Sequence, residues 1–156
     1  MKVVWRICEL DDRKRAFDGE GARLYGGRWN FKGTALIYTA ESPSLAILET
    51  LVHVEPALLK RPLFRFKVEL PEGDVEKLAP ALLPSTWRDH PPGDETRTLG
   101  TDWAAGRKSL ALAVPSAVVA EEMNYLLNPA HPRFTKLVIG KPEALALDER
   151  LLRKKK

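Results

Sequence analysis

Short runs of alternating apolar and polar residues dominate this chain, and each run is bounded by turn formers. VVWRICE (3–9) sets Val3, Trp5 and Ile7 on one face and Val4, Arg6 and Cys8 on the other, the period-2 signature of a strand. LFRFKVEL (63–70) is the clearest strand: Phe64, Phe66, Val68 and Leu70 face a core, while Arg65, Lys67 and Glu69 face water. Pro71, Glu72 and Gly73 end it. ALIYT (35–39) predicts a short strand with Leu36 and Tyr38 on one face, and SLALAV (109–114) a buried strand stopped by Pro115 and Ser116. TKLVIG (135–140) predicts another, and ALALDERLL a last one.

Helical spacing is rarer. Ser42 followed by Pro43 is a helix start, with serine as N-cap and proline at the first helical position. The helix should run to about Val54, with Leu45, Leu48, Leu51 and Val52 as its apolar stripe and Glu49 at the stripe's edge. TLGTDWAAG (98–106) predicts a short helix ending at Gly106, and Asp11 to Gly21 a loop or weak helix. Residues 84–97 are rich in Pro and charge and read as an irregular loop. Strands outnumber helices, which predicts an α+β fold.

At 156 residues the chain is sized for one domain, and no repeat or second domain is visible. Its net charge of +4 is carried by Arg153, Lys154, Lys155 and Lys156; without them the body is balanced. The natural division is a folded unit over 1–152 and a solvated basic tail over 153–156. A balanced body does not predict direct nucleic-acid binding. Cys8 is the single cysteine, so no internal disulfide can form, and the three histidines are widely separated, so no metal site is expected. The N-terminal apolar run is too short for a signal peptide or membrane span, which predicts a cytoplasmic protein.

Within YGGRWNFKG (25–33), Arg28 sits in a pliable glycine setting. It could pair with a surface carboxylate, or the glycines could bring backbone close to a ligand while the guanidinium forks onto phosphate or carboxylate oxygens. Trp29 is either core packing or an aromatic wall for a flat ring. Arg6 either snorkels or points into a cleft; converging with Arg28 on one pyrophosphate favours the cleft. Glu49 is a solvated helix residue or a carboxylate at the rim of whatever the stripe covers. Tyr38 is a half-buried strand aromatic or a site residue, and Ser116 a cap or a ligand to substrate. Asn124, Asn128 and His131 read as a turn-rich polar set. P-loop, Rossmann, His-Glu-x-x-His and CxxC motifs do not occur.

In order, these pieces resemble the RES domain, a family of toxins from bacterial toxin–antitoxin pairs, usually encoded with an Xre-type antitoxin. The likeness is carried by WRI (5–7), GARLYGGRWNFKG (21–33), IYTAESPSLAILETLVH (37–53), LGTDW (99–103), VPSAVVAEEMNYLLNPAHP (114–132) and LDERLL (147–152). It implies a fold similar to ADP-ribosyltransferases, with split, mostly antiparallel sheets and helices holding NAD in a cleft. It also implies that NAD is a substrate and not a cofactor, cleaved at the nicotinamide–ribose bond with water, phosphate or a protein as acceptor. The resemblance places catalytic roles on Arg28, Tyr38 and Glu49. NAD contacts fall to Arg6, Arg28, Trp29, Asn30, Ser116 and Asn128. The rival expectations are a protein-modifying ADP-ribosyltransferase and a binding module without chemistry.

Overall fold

The computed structural model describes residues 1–55, 59 and 61–152, so the basic tail lies outside the described residues. Eight strands form one mixed sheet: β1 (Lys2–Cys8), β2 (Ile37–Ala40), β3 (Leu63–Leu70), β4 (Val75–Lys77), β5 (Ala111–Pro115), β6 (Met123–Leu127), β7 (Val138–Ile139) and β8 (Glu143–Leu145). The order is β4-β5-β6-β2-β1-β3-β7, with β8 also paired to β3. Only β4 and β5 run parallel; the other pairs are antiparallel. Among the described residues four α-helices accompany the sheet: α1 (Arg13–Ala16), α2 (Glu20–Tyr25), α3 (Pro43–His53) and α4 (Asp94–Gly106). The α+β expectation therefore holds.

The sheet is nearly divided at its centre. β1 pairs with β3 along its whole length, from Lys2 opposite Leu70 to Cys8 opposite Phe64. Against β2 it makes one rung only, Trp5 opposite Ala40. Arg6 reinforces this seam with its side chain, donating from Nη1 to the Tyr38 carbonyl (3.2 Å) and from Nε to the Ala16 carbonyl (2.7 Å). Its guanidinium also lies 5.8 Å from the Phe17 ring centroid. Burial disfavours the charge of this arginine, and the two carbonyls are what make the position tolerable.

One face of the sheet buries Val4, Phe66, Val68 and Leu70 with Phe17, Leu110 and Leu127. The period-2 pattern foretold this for β3. A second cluster gathers Trp29, Leu36, Leu112, Val114 and Leu126 beneath α4. α3 covers the sheet near the seam by burying Leu45 and Ala46 against Ala40, Trp5 and Ile7. Its start is as expected: Ser42 Oγ accepts the Leu45 N–H at 3.1 Å, with Pro43 in the first turn. The apolar stripe is not. Leu48 (37 % exposed) and Val52 (56 % exposed) face outward, because the helix docks through Leu45 and Ala46.

Other expectations need correction. β6, read from the sequence as part of a polar turn-rich set, is an interior strand between β5 and β2; its single polar interruption, Asn124, obscured an otherwise apolar run. α4 begins at Asp94, inside the segment expected to be irregular, with Asp94 and Glu95 matching the positive end of the helix dipole. The strand foreseen over 135–140 shrinks to Val138–Ile139, because Phe134–Lys136 forms a 3-10 turn. Gly100 fixes how α4 meets the rest. A Cβ there would lie 1.8 Å from the Trp29 carbonyl oxygen and 2.8 Å from its carbon, both backbone atoms that cannot step aside.

Gly100→Ala should therefore lose about 3 kcal/mol or more, beyond the usual range for overpacking, because the clash is with backbone. Urea unfolding followed by tryptophan fluorescence would measure it. A loss below about 1 kcal/mol would mean that α4 can move away from the 27–30 turn.

Candidate active site

A cleft of about 950 Å³ opens along the β1–β2 seam. Arg6, Arg28, Tyr38, Glu49, His53 and Asn124 contribute to its lining, together with Arg88 and His90 from the 84–93 loop. Its size is near the top of the ~300–1,000 Å³ range of small-molecule sites.

The turn that carries Arg28 is built from its glycines outward. Gly26 ends α2 in a left-handed conformation (φ 72°), donating to the Ala22 carbonyl at 2.8 Å. Gly27 lies against Tyr38: a Cβ there would approach the Tyr38 hydroxyl to 2.6 Å. Gly27 N–H then bonds the Asn30 carbonyl at 3.0 Å, closing the turn. Asn30 is fully buried and its amide is spent inside the protein. Nδ2 faces the carbonyls of Ala22 (2.9 Å), Phe31 (3.0 Å) and Thr34 (3.2 Å), and Oδ1 accepts the Tyr38 hydroxyl at 2.6 Å. Helix α4 grips the same turn, with Arg97 Nε donating to the Gly27 carbonyl (3.2 Å) and Thr101 Oγ1 accepting the Phe31 N–H (3.0 Å).

Tyr38 thus lines the cleft while its hydroxyl is engaged twice, donating to Asn30 and accepting the Trp29 N–H at 3.1 Å. Burial raises its pKa well above that of a free phenol, against the smaller opposing effects of the Trp29 bond and of Arg28 and Arg97. It stays protonated at neutral pH and has no proton to spare; its geometry is that of a brace for the Arg28 turn. Trp29 is 2 % exposed and its indole belongs to the core cluster under α4, the packing alternative rather than the aromatic wall.

Arg28 reaches over the cleft, and Nη1 donates to the carbonyls of Trp87 (2.9 Å) and Asp89 (2.7 Å). Burial works against its charge, while the Glu49 carboxylate, the Tyr38 hydroxyl and Asp89 support it. The guanidinium therefore fastens the 84–93 loop as well as facing the cleft. Arg88 of that loop in turn donates from Nε to the Ala117 carbonyl at 3.2 Å.

Glu49 is the other pole. Its side chain is 20 % exposed on the second turn of α3. Oε1 accepts from Ser116 Oγ at 2.7 Å and from Asn124 Nδ2 at 2.6 Å, and Oε2 lies 3.6 Å from His53 Nε2, ion-pair range one turn along the helix. Burial pushes the Glu49 carboxyl up, but His53, Ser116 and Asn124 outweigh it, so the group sits below the usual carboxylate range. A carboxylate only accepts, so Asn124 must offer its NH₂ to Glu49 and leave Oδ1 as its other end. That Oδ1 is buried without a partner among the described residues.

The residues expected from sequence therefore separate. Arg6, Arg28, Tyr38 and Glu49 come together around the cleft. Ser116 is fully buried and acts on Glu49; it also accepts the N–H groups of Val118 and Val119 at 3.1 Å, as a serine turn does. Asn30 and Ser116 do not line the cleft, and neither does Asn128. Asn128 braces the fold from the far end of β6, with Nδ2 on the Ala104 carbonyl and Oδ1 on the Ala130 N–H. Asn124 is the member missed in sequence. Its signal was a lone amide in an apolar run, placed by register opposite Ala40 and Val114.

Comparison with known proteins finds relatives of the whole chain. A family model described as the RES domain matches residues 3–148. A protein of Yersinia enterocolitica named Toxin Res is 44 % identical over 150 residues, covering 96 % of this chain and 99 % of its own. The Prs ADP-ribosylating toxin of a Sphingobium species is 36 % identical, covering 96 % of both chains. Among solved structures, a chain of the Mycobacterium tuberculosis MbcT–MbcA toxin–antitoxin complex superposes with a TM-score of 0.75 at 19 % identity, covering 92 % of this chain and 84 % of that one. That likeness is one of fold.

Two donors on Glu49 favour its charged form, so removing one should raise its pKa. In Ser116→Ala the Glu49 carboxyl should titrate at higher pH than in the parent, read by NMR of a sample carrying ¹³C at glutamate side-chain carboxyls. The stability that the ionised group contributes is present above the unfolded value and disappears as pH falls through the folded one; in Ser116→Ala that loss should be smaller and complete at higher pH. An unmoved titration would show that Ser116 does not hold the carboxylate in solution.

Proposed function

This chain belongs to the RES domain family, and we propose that it is the toxin of a toxin–antitoxin pair and breaks the nicotinamide–ribose bond of NAD. The observation that carries this reading is the ionised Glu49 carboxylate, held by two donors on the wall of a cleft whose other pole is Arg28. The C–N bond electrons leave with nicotinamide, which departs neutral, and positive charge develops at ribose C1′. A fixed carboxylate in a partly dry site stabilises that charge far better than water does. Water or phosphate then supplies an oxygen to C1′ and releases a proton. Arg28 holds the pyrophosphate with the part of its guanidinium not bound to the loop carbonyls. Asn124 and Ser116 hold the carboxylate in place, and Tyr38 and Asn30 hold the Arg28 turn.

An enzyme that drains NAD from its own cell requires restraint, and an Xre-type antitoxin occupying the cleft would provide it. A second reading is favoured by the Sphingobium relative, whose name is that of an ADP-ribosylating toxin. Here the same bond breaks, but a protein nucleophile takes the ADP-ribose.

Purified protein should consume NAD and release nicotinamide. Glu49→Gln should slow this about 10²–10³-fold, the loss typical of removing one electrostatic stabiliser of a transition state. Arg28→Lys, which keeps charge but not the fork, should raise KM more than it lowers kcat. Added phosphate should change the product from ADP-ribose to its 1-phosphate if phosphate is the acceptor. Label accumulating on protein would select the transferase reading, and intact NAD with every acceptor would overturn both.

A further inference from the structure

We propose that Tyr25 is the platform for the adenine ring, and hence the residue that makes this cleft prefer a dinucleotide to its nicotinamide half. The proposal rests on the NAD reading and names the part of the substrate that Glu49 and Arg28 leave unassigned. Four aromatic side chains contribute to the cleft lining. Trp29 is buried in the core and Tyr38 is tied by its hydroxyl to Asn30. Trp5 packs on Ala40, Leu45 and Ala46, and the Arg65 guanidinium sits 5.9 Å from its ring centroid. Tyr25 alone is open, at 79 % exposure, the highest among the large hydrophobic side chains of the described residues.

An open tyrosine is ordinary on a surface and carries no argument by itself. This one differs in where it stands and in how firmly its backbone is held. It is the last residue of α2, and the chain immediately after it is locked by the Gly26 bond to Ala22 and the Gly27 bond to Asn30. The aromatic ring is therefore presented from a fixed base with few conformational freedoms to lose on binding. Three residues on comes Arg28, at most about 10 Å away along the chain. A nucleotide can bridge that distance between its phosphate and its base. With pyrophosphate at Arg28 and ribose C1′ beside Glu49, the adenosine half falls to the rest of the lining, where Tyr25 offers it a π face. The cleft volume suits this, since the nicotinamide riboside half would leave much of about 950 Å³ unfilled.

Calorimetry on the Glu49→Gln background separates the two halves of the ligand without turnover. ADP-ribose carries the adenine and nicotinamide mononucleotide does not. Tyr25→Ala should weaken ADP-ribose about ten-fold, within the range measured for loss of one base–aromatic stack, and change nicotinamide mononucleotide by less than two-fold. Tyr25→Phe, which keeps the ring, should restore ADP-ribose binding. Equal weakening of both ligands, no weakening of either, or no binding of ADP-ribose to the Tyr25 protein would overturn the proposal. If the parent leaves NAD intact yet ADP-ribose binding still depends on Tyr25, the cleavage reading fails and the platform stands.

Discussion

The single rung between β1 and β2 is the constraint from which the rest follows. A sheet that paired fully at this position would be closed and would have no room between Arg6 and Tyr38. By parting there, the chain gains a cleft lined by the strands on both sides, and it loses backbone hydrogen bonds at the centre of its fold. Arg6 answers that loss with a side chain, joining β1 to the Tyr38 carbonyl across the gap. A charge buried at such a position is costly, so the seam is held by a group that must find its carbonyl partners whenever the chain folds. The split arrangement expected from the family resemblance thus has a local physical form: one rung and one guanidinium.

The two poles of the site are held by different means. Glu49 stands on a well-capped helix and is steered by donors from the far half of the chain, Ser116 and Asn124. Arg28 stands on an irregular turn, which by itself would position nothing. That turn becomes rigid because the Asn30 amide sits within hydrogen-bond distance of three carbonyls from the inside, Tyr38 braces it from β2, and α4 closes on it so tightly that only a glycine fits at position 100. The residues that face the ligand are therefore few, and most of the polar side chains nearby serve to hold them.

This division explains how much could be read from sequence. Strand β3 and the N-terminus of α3 were legible because period-2 alternation and a Ser-Pro cap are local signals. Glu49 was legible as a stripe-edge residue, and Arg28 as a guanidinium in a glycine turn. What was hidden depends on partners distant in the chain. β6 looked like a turn because a strand interior carries an Asn only when something across the sheet needs its amide, and that something is Glu49, 75 residues earlier. Asn30, Ser116 and Asn128 were foreseen as contacts to substrate, yet each is buried and spends its polar atoms on the protein. A motif marks where a polar side chain matters; whether it faces ligand or scaffold is decided by packing.

The dependence of Glu49 on residues 116 and 124 also has a consequence in time. β2 and α3, which carry Tyr38 and Glu49, are made early, but their neighbour β6 is made late, since Ile37 sits opposite Leu127. Until that strand has emerged, Glu49 lacks the Asn124 donor and β2 lacks a partner along its full length. The nascent chain therefore carries an unfinished reaction centre through most of its synthesis. The arrangement around Glu49 can be completed only once residues near position 127 have left the ribosome.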